Sequence, residues 1–177
     1  MEILIIIMLV AILIGIWVVV IQRKLVQLDE NINNAMSQIG IQISSRLDVL
    51  IVLLELVDSY GIQDSALWLG KVKSIRKDIH AKSDPQEVLE QERLIMEVMK
   101  FIDTAVNQCP HIKEDKSFIK RMGAVDTYSR MLRTSRLIYN DSVTKLNQFI
   151  RMFPNKWVAG MLGFHKRDYF DKIIEYI

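Results

Sequence analysis

Residues 3–21 form an uninterrupted run of nineteen uncharged, almost wholly apolar residues, closed at once by Gln22, Arg23 and Lys24. As a helix this run is about 28 Å long at ~1.5 Å per residue, close to the ~30 Å hydrocarbon core of a bilayer. A cleaved signal peptide needs a basic n-region, a shorter apolar stretch and a small-residue cleavage site. Only Met1 and Glu2 precede the run and no A-x-A-like triplet follows it, so the sequence predicts an uncleaved anchor over residues 1–24. Cytoplasmic flanks carry the excess of Lys and Arg. Arg23 and Lys24 therefore place the C-terminal side in the cytoplasm and the N-terminus outside, with Trp17 about one turn inside the boundary. Gly15 is the only glycine in the run, so no GxxxG face argues for dimerisation there.

The rest of the chain is long enough for one domain with its own core. Outside the run and Glu2 it carries 23 Lys plus Arg against 20 Asp plus Glu, too even a balance to point to nucleic acid. The charge is nevertheless segregated. Residues 84–115 hold eight acids and three bases, whereas residues 130–167 hold eight bases and one acid, Asp141. Two bundle helices with complementary faces account for this most simply, and a basic surface held near anionic lipid is the alternative. Cys109 is the only cysteine, which rules out an intrachain disulfide and agrees with a reducing compartment. His80, His111 and His165 belong to no metal-ligand spacing, and HExxH, CxxC, P-loop, GxSxG and GxGxxG patterns are missing. The sequence therefore offers no catalytic, cofactor-binding or metal-ligating residue.

The periodicity is helical throughout, giving an all-α class. Leu25, Leu28, Ile32, Ala35, Ile39, Ile43, Leu47, Leu50, Leu54 and Val57 recur at spacings of three and four, the stripe a helix buries. No proline occurs before Pro85, so the first helix is expected to run unbroken out of the apolar run to Tyr60-Gly61. A second helix, capped by Asp64 or Ser65, is expected to continue through Ile79 to about Lys82. Asp84-Pro85-Gln86-Glu87 combines a capping acid, a proline at the first helical position and a Glu at the third, a helix start. That third helix runs to about Gln108, and Cys109-Pro110 stops it. The fourth runs from about Lys116 to Phe153, where Pro154 ends it. The expected architecture is a single transmembrane helix followed by an antiparallel up-and-down four-helix bundle over residues 25–153, with an apolar tail over 154–177.

Arg136, Tyr139-Asn140, Val143, Asn147, Ile150, Phe153-Pro154, Ala159, Gly163-Phe164 and Tyr169-Phe170 resemble the C-terminal signature of the LemA family. Asn34-Ala35, Ser37-Gln38-Ile39, Arg46 and Asp48 resemble its first bundle helix, Arg76 its second, and Pro110, Lys113 and Phe118 the segment that opens its last. Two departures stand out: Ile51 and Val52 replace the family's usual proline and asparagine, and Ser129 replaces its usual glutamate. The resemblance implies a bacterial inner-membrane protein with a cytoplasmic helical bundle, no established enzymatic activity and a link to envelope integrity and stress. It also implies a membrane-bound zinc metalloprotease as a candidate partner.

Asn140, Val143 and Asn147 share one face of the last helix, and polar groups on a buried stripe need partners. If the first and last helices are antiparallel, Asn147 lies level with Asn34 and Gln38, and Asp48 lies level with Arg133 and Arg136. Hydrogen bonds among the first three and an Asp48 pair with Arg136 or Arg133 are therefore expected, with a register-fixing role. The tail holds Trp157, Met161, Leu162, Phe164, Tyr169, Phe170, Ile173, Ile174, Tyr176 and Ile177, too apolar for a solvated segment. It either packs on the bundle or lies at the lipid interface, and Trp157, Phe164, Tyr169 and Phe170 are its candidate interface residues. Three functions fit: a non-enzymatic adaptor or scaffold in the cell envelope, a regulator or subunit of a membrane enzyme, and a membrane-associated homo-oligomer.

Overall fold

The computed structural model describes residues 1–170, so Ile173, Ile174, Tyr176 and Ile177 of the apolar tail lie outside the described residues. The chain is all-helical, with α1 over Glu2–Ser59, α2 over Ser65–Ile75, α3 over Pro85–Gln108, a 3-10 turn over Pro110–Glu114, α4 over Lys116–Arg151 and α5 over Asn155–Met161. No strand occurs among the described residues. The contacts divide the chain into unit 1, Met1–Asn33 with Ile138–Ile177, and unit 2, Asn34–Leu137.

In unit 1, one segment of α1 is long and apolar enough to cross a membrane. Every residue from 1 to 20 except Val18 is exposed, and the helical burial pattern then starts abruptly with Ile21, Leu25, Leu28 and Ile32. In unit 2 the same stripe continues through Ile39, Ile43, Leu47, Leu50, Leu54 and Val57, all buried. Each such side chain contributes about 1.5–3 kcal/mol relative to exposure, far more than any local propensity. The stripe therefore dictates the face α1 presents.

The helix ends of unit 2 follow from specific groups. Gly61 takes a φ of 73° just past α1, a conformation that costs glycine nothing. Asp84 accepts from the Gln86 N–H at 2.8 Å and Pro85 opens α3, as the sequence predicts. Asp115 does the same for α4, accepting from the N–H groups of Ser117 (2.6 Å) and Phe118 (3.2 Å), while the Tyr60 hydroxyl donates to its other oxygen at 3.0 Å. These bonds, the Phe118 N–H first among them, hold the half-buried Asp115 carboxyl below the usual carboxylate range. At α2 the expected side-chain cap does not form. Asp64 stands in the left-handed region at φ 69°, and Ser65 turns inward to donate to the Ile62 carbonyl (2.8 Å) and to Asp58.

The second helix is also shorter than its pattern suggests, ending at Ile75 and not near Lys82. Gln91, fully buried on α3, takes the chain over from it: its amide accepts from the Lys77 N–H at 3.1 Å and donates to the Ile75 carbonyl at 3.3 Å. One carboxamide thus partners a carbonyl at the end of α2 and an N–H just past it. Past that point the chain passes directly against α1. A Cβ on Gly40 would stand 2.3 Å from the Ile79 carbonyl oxygen. Ile79 is buried as its place in the apolar pattern requires, but non-helical chain carries it there.

Gly40→Ala is expected to destabilise the full-length protein by about 1–3 kcal/mol through overpacking against backbone, although alanine is the better helix former by ~1 kcal/mol. Chemical denaturation of the two proteins in the same detergent measures it, and an unchanged or raised midpoint would contradict the close approach.

Candidate functional site

The densest polar construction in unit 1 is built where α4 receives the returning tail. Phe153 and Pro154 join through a cis peptide bond, and α5 follows at once. Its end is a Schellman motif: the Phe164 N–H donates to the Ala159 carbonyl (2.9 Å), the Gly163 N–H to the Gly160 carbonyl (3.3 Å), and Gly163 takes φ 75°. Ala159 is fully buried on the inner side of this turn. The chain then runs back along α4 without helical structure over residues 164–170.

Two asparagines hold it. The Asn147 amide donates to the Arg167 carbonyl at 2.9 Å and its oxygen accepts from the Arg167 N–H at 3.0 Å. Asn140 repeats the pattern on Phe170, with its oxygen accepting from the N–H at 2.9 Å and its amide donating to the carbonyl at 3.4 Å. Each carboxamide offers a donor and an acceptor side by side, as the edge of a β-strand does. Their spacing matches the segment they hold. Seven residues of helix rise about 10.5 Å, and the three-residue step from Arg167 to Phe170 spans about 10 Å when extended. Between them the Tyr139 hydroxyl donates to the Asp168 carbonyl at 3.2 Å. The Tyr139 ring meets Phe170 edge-on at 4.8 Å, with both side chains buried. The Arg167 guanidinium reaches Asp29 on α1 at 2.9 Å through Nη2 and 3.2 Å through Nε. A shallow cleft lined by Asp29 and residues 162–167 lies beside this pair.

The tail residues divide between two environments. Phe170 is buried and Phe164 half-buried, whereas Tyr169 and Trp157 are exposed. The expected partners of Asn147 are corrected here. It binds the tail backbone, while Asn34 and Gln38 stand exposed on α1.

Unit 2 holds the other polar construction. Asp48 pairs with Arg76 (2.5 Å), whose second nitrogen donates to Ser44 (2.5 Å), in place of the expected pair with Arg136 or Arg133. The level of Asp48 is taken by the chain leaving α2, an element that a count along two antiparallel helices does not see. Arg133 is exposed. Arg136 instead meets Glu92 of α3 at 3.0 Å, with side chains 16% and 8% exposed. Arg46 supplies a second positive charge near Glu92. Burial raises the Glu92 carboxyl above the usual range, outweighing the opposing pull of Arg136 and Arg46. Glu92 and Gln91 had a legible signal. They lie on the stripe Val88, Gln91, Glu92, Ile95, Val98 and Ile102, where polar residues interrupt a buried face.

Among the described residues no group of three His, Cys, Asp or Glu is placed to hold a metal ion. An apolar membrane-length segment, a second helix ended by the Gln91 carboxamide and a tail pinned to the last long helix define a class of small helical proteins with a built C-terminal turn. The chain belongs to the LemA family, whose model matches residues 35–175. No curated protein matches it.

Two variants test these constructions. Asn147→Ala is expected to cost about 1–3 kcal/mol, since it strands a backbone donor and acceptor, and to abolish hydrogen-exchange protection at the Arg167 N–H. Asn147→Asp keeps the acceptor and should retain part of that protection. Equal protection in all three proteins would refute the clamp. For Glu92, a carboxyl raised in the fold contributes stability below its unfolded pKa of about 4.3, and loses it as pH rises toward the folded value. The melting-temperature difference between the parent and Glu92→Gln should therefore favour the parent most at about pH 4 and shrink toward pH 7. A difference that grows with pH would reverse the assignment.

Proposed function

We propose that this LemA-family chain is a single-pass protein of the bacterial inner membrane and serves there as a non-enzymatic adaptor or scaffold. In this reading α1 to α4 of unit 2 form the up-and-down bundle, presented on the cytoplasmic side. One observation carries the anchor: exposure is nearly unbroken from residue 1 to 20 and helical burial begins at Ile21, two residues before Arg23 and Lys24. Such a change fits a solvent boundary, with lipid on one side and protein packing on the other. The adaptor role rests on apolar side chains that unit 2 leaves uncovered, among them Leu67, Met131 and Leu137, at 70%, 48% and 65% exposure. Exposed apolar surface of this kind suits a protein partner.

Orientation is tested with a single cysteine at exposed Gln63 in a Cys109→Ser background. A membrane-impermeant maleimide should label it only after the inner membrane is permeabilised. Labelling in intact spheroplasts would overturn the cytoplasmic placement. For the adaptor, in-cell crosslinking of the tagged full-length chain should capture a membrane protein, and the capture should fall when Leu67 and Leu137 are changed to Ser. Capture of a zinc metalloprotease whose turnover depends on this chain would replace the scaffold with the regulator reading. Self-crosslinks alone would replace it with the homo-oligomer.

A further inference from the structure

In α5, Val158 and Ala159 are buried, while Trp157 and Met161, with Phe153 from the turn before the helix, present 70%, 87% and 77% of their surface. Phe153 and Trp157 pack edge-on at 5.8 Å, so the outward face is preformed in the folded chain. Large apolar side chains gathered on one face, left uncovered among the described residues, mark a surface suited to an occupant. Unit 1 itself supplies the argument for which one. It contains the membrane-length segment of α1. Ile21 and Leu25 are buried at the end of that segment, and the unit joins this part of α1 to the C-terminal part of the chain from Ile138. Asp29, which Arg167 grips, lies eight residues past Ile21, about 12 Å along the helix. Leu162, one residue past α5, lines the same cleft as Asp29. Trp157 is five residues from Leu162, about 7.5 Å of helix. The exposed face and the boundary at Ile21 are thus joined within unit 1 through the Asp29 cleft, by about 20 Å of helix in all.

Its charge agrees with one surface in particular. Residues 142–167 contain Lys145, Arg151, Lys156, Lys166 and Arg167 and no acid. Of these, Arg151, Lys156 and Lys166 are exposed around α5, and Arg23 and Lys24 are exposed on α1 at the end of the apolar segment. Aromatic side chains with flanking cations are the composition that settles in the headgroup layer, with rings at the acyl boundary and cations on phosphates. We propose that α5 is a membrane foot: Phe153, Trp157 and Met161 seat in the headgroup region of the same bilayer that α1 crosses, and Arg151, Lys156 and Lys166 bind its anionic lipids. The inference rests on the anchor reading above. It gives the clamped tail a consequence, since the Schellman turn and the asparagine bonds tie the chain after α5 to α4.

The test uses the full-length chain reconstituted in bilayers of phosphatidylcholine with and without phosphatidylglycerol. Tryptophan emission is quenched by lipids brominated at shallow or deep acyl positions. One protein keeps only Trp157 (Trp17→Phe, Trp68→Phe) and a second keeps only Trp17 (Trp68→Phe, Trp157→Phe). Shallow bromines should quench Trp157 more than deep ones, and more strongly with phosphatidylglycerol. Lys156→Gln should lower the ratio of seated to unseated α5 about fivefold, the loss expected for one cation at an anionic surface. Quenching of Trp17 without quenching of Trp157 would leave the anchor standing and overturn the foot. Quenching of neither would overturn the anchor itself. Shielding of Trp157 from aqueous iodide that follows protein concentration and ignores lipid composition would assign the face to a second copy and likewise overturn the proposal.

Discussion

The organising constraint of unit 1 is that a chain leaving helical structure must find partners for its backbone groups, and here side-chain amides provide them. Asn140 and Asn147 each return one donor and one acceptor to the tail, at Phe170 and Arg167. A buried N–H or C=O without such a partner costs about 1–3 kcal/mol, so residues 164–170 could not otherwise lie against α4. Unit 2 uses the same solution once, where Gln91 binds Ile75 and Lys77 and lets α2 stop short. A hydroxyl offers donor and acceptor from a single atom, and a carboxylate lacks the donor. The carboxamide holds donor and acceptor in one plane, at the separation that a residue's own N–H and C=O require.

The C-terminal signature becomes readable in these terms. Ala159, Gly163 and Phe164 belong to the Schellman turn that reverses the chain. Tyr139, Asn140, Asn147 and Phe170 form the surface and the clasp against which the reversed chain lies. Gly163 needs a positive φ there, and a larger residue at Ala159 would meet a fully closed site. Residues up to 31 positions apart in sequence, from Tyr139 to Phe170, thus serve one turn.

Much of this was legible in advance, and the parts that were not have a common cause. The ten-residue apolar stripe of α1 is buried at every position, because hydrophobic periodicity reports burial directly. The start of α3 was legible because a capping acid acts over two or three residues. The inward face holding Asn140 and Asn147 was legible too, but not what they hold. Counting residues along two antiparallel helices places side chains level with one another, and it assumes that only helices compete for them. The extended tail reached Asn147 first, and the chain leaving α2 reached Asp48 first. The role of Gln91 is hidden for a related reason: a polar residue in an apolar stripe shows that something must pair with it, but not that backbone will.

Glu92 and Arg136 show the opposite economy. Their pair lies where leucine and methionine of similar volume would pack at less electrostatic cost, since desolvation offsets most of the attraction between buried charges. Arg46 adds a second cation that burial disfavours as well. What such a group supplies that leucine cannot is discrimination between registers. Sliding α3 by one turn against Arg136 would exchange Glu92 for Val88 or Met96 and leave a guanidinium buried without its counter-charge, at a cost of several kcal/mol. A leucine stripe tolerates that slip at little expense. The apolar stripes of unit 2 thus account for its cohesion, and a buried pair of this kind penalises any packing that would separate its two charges.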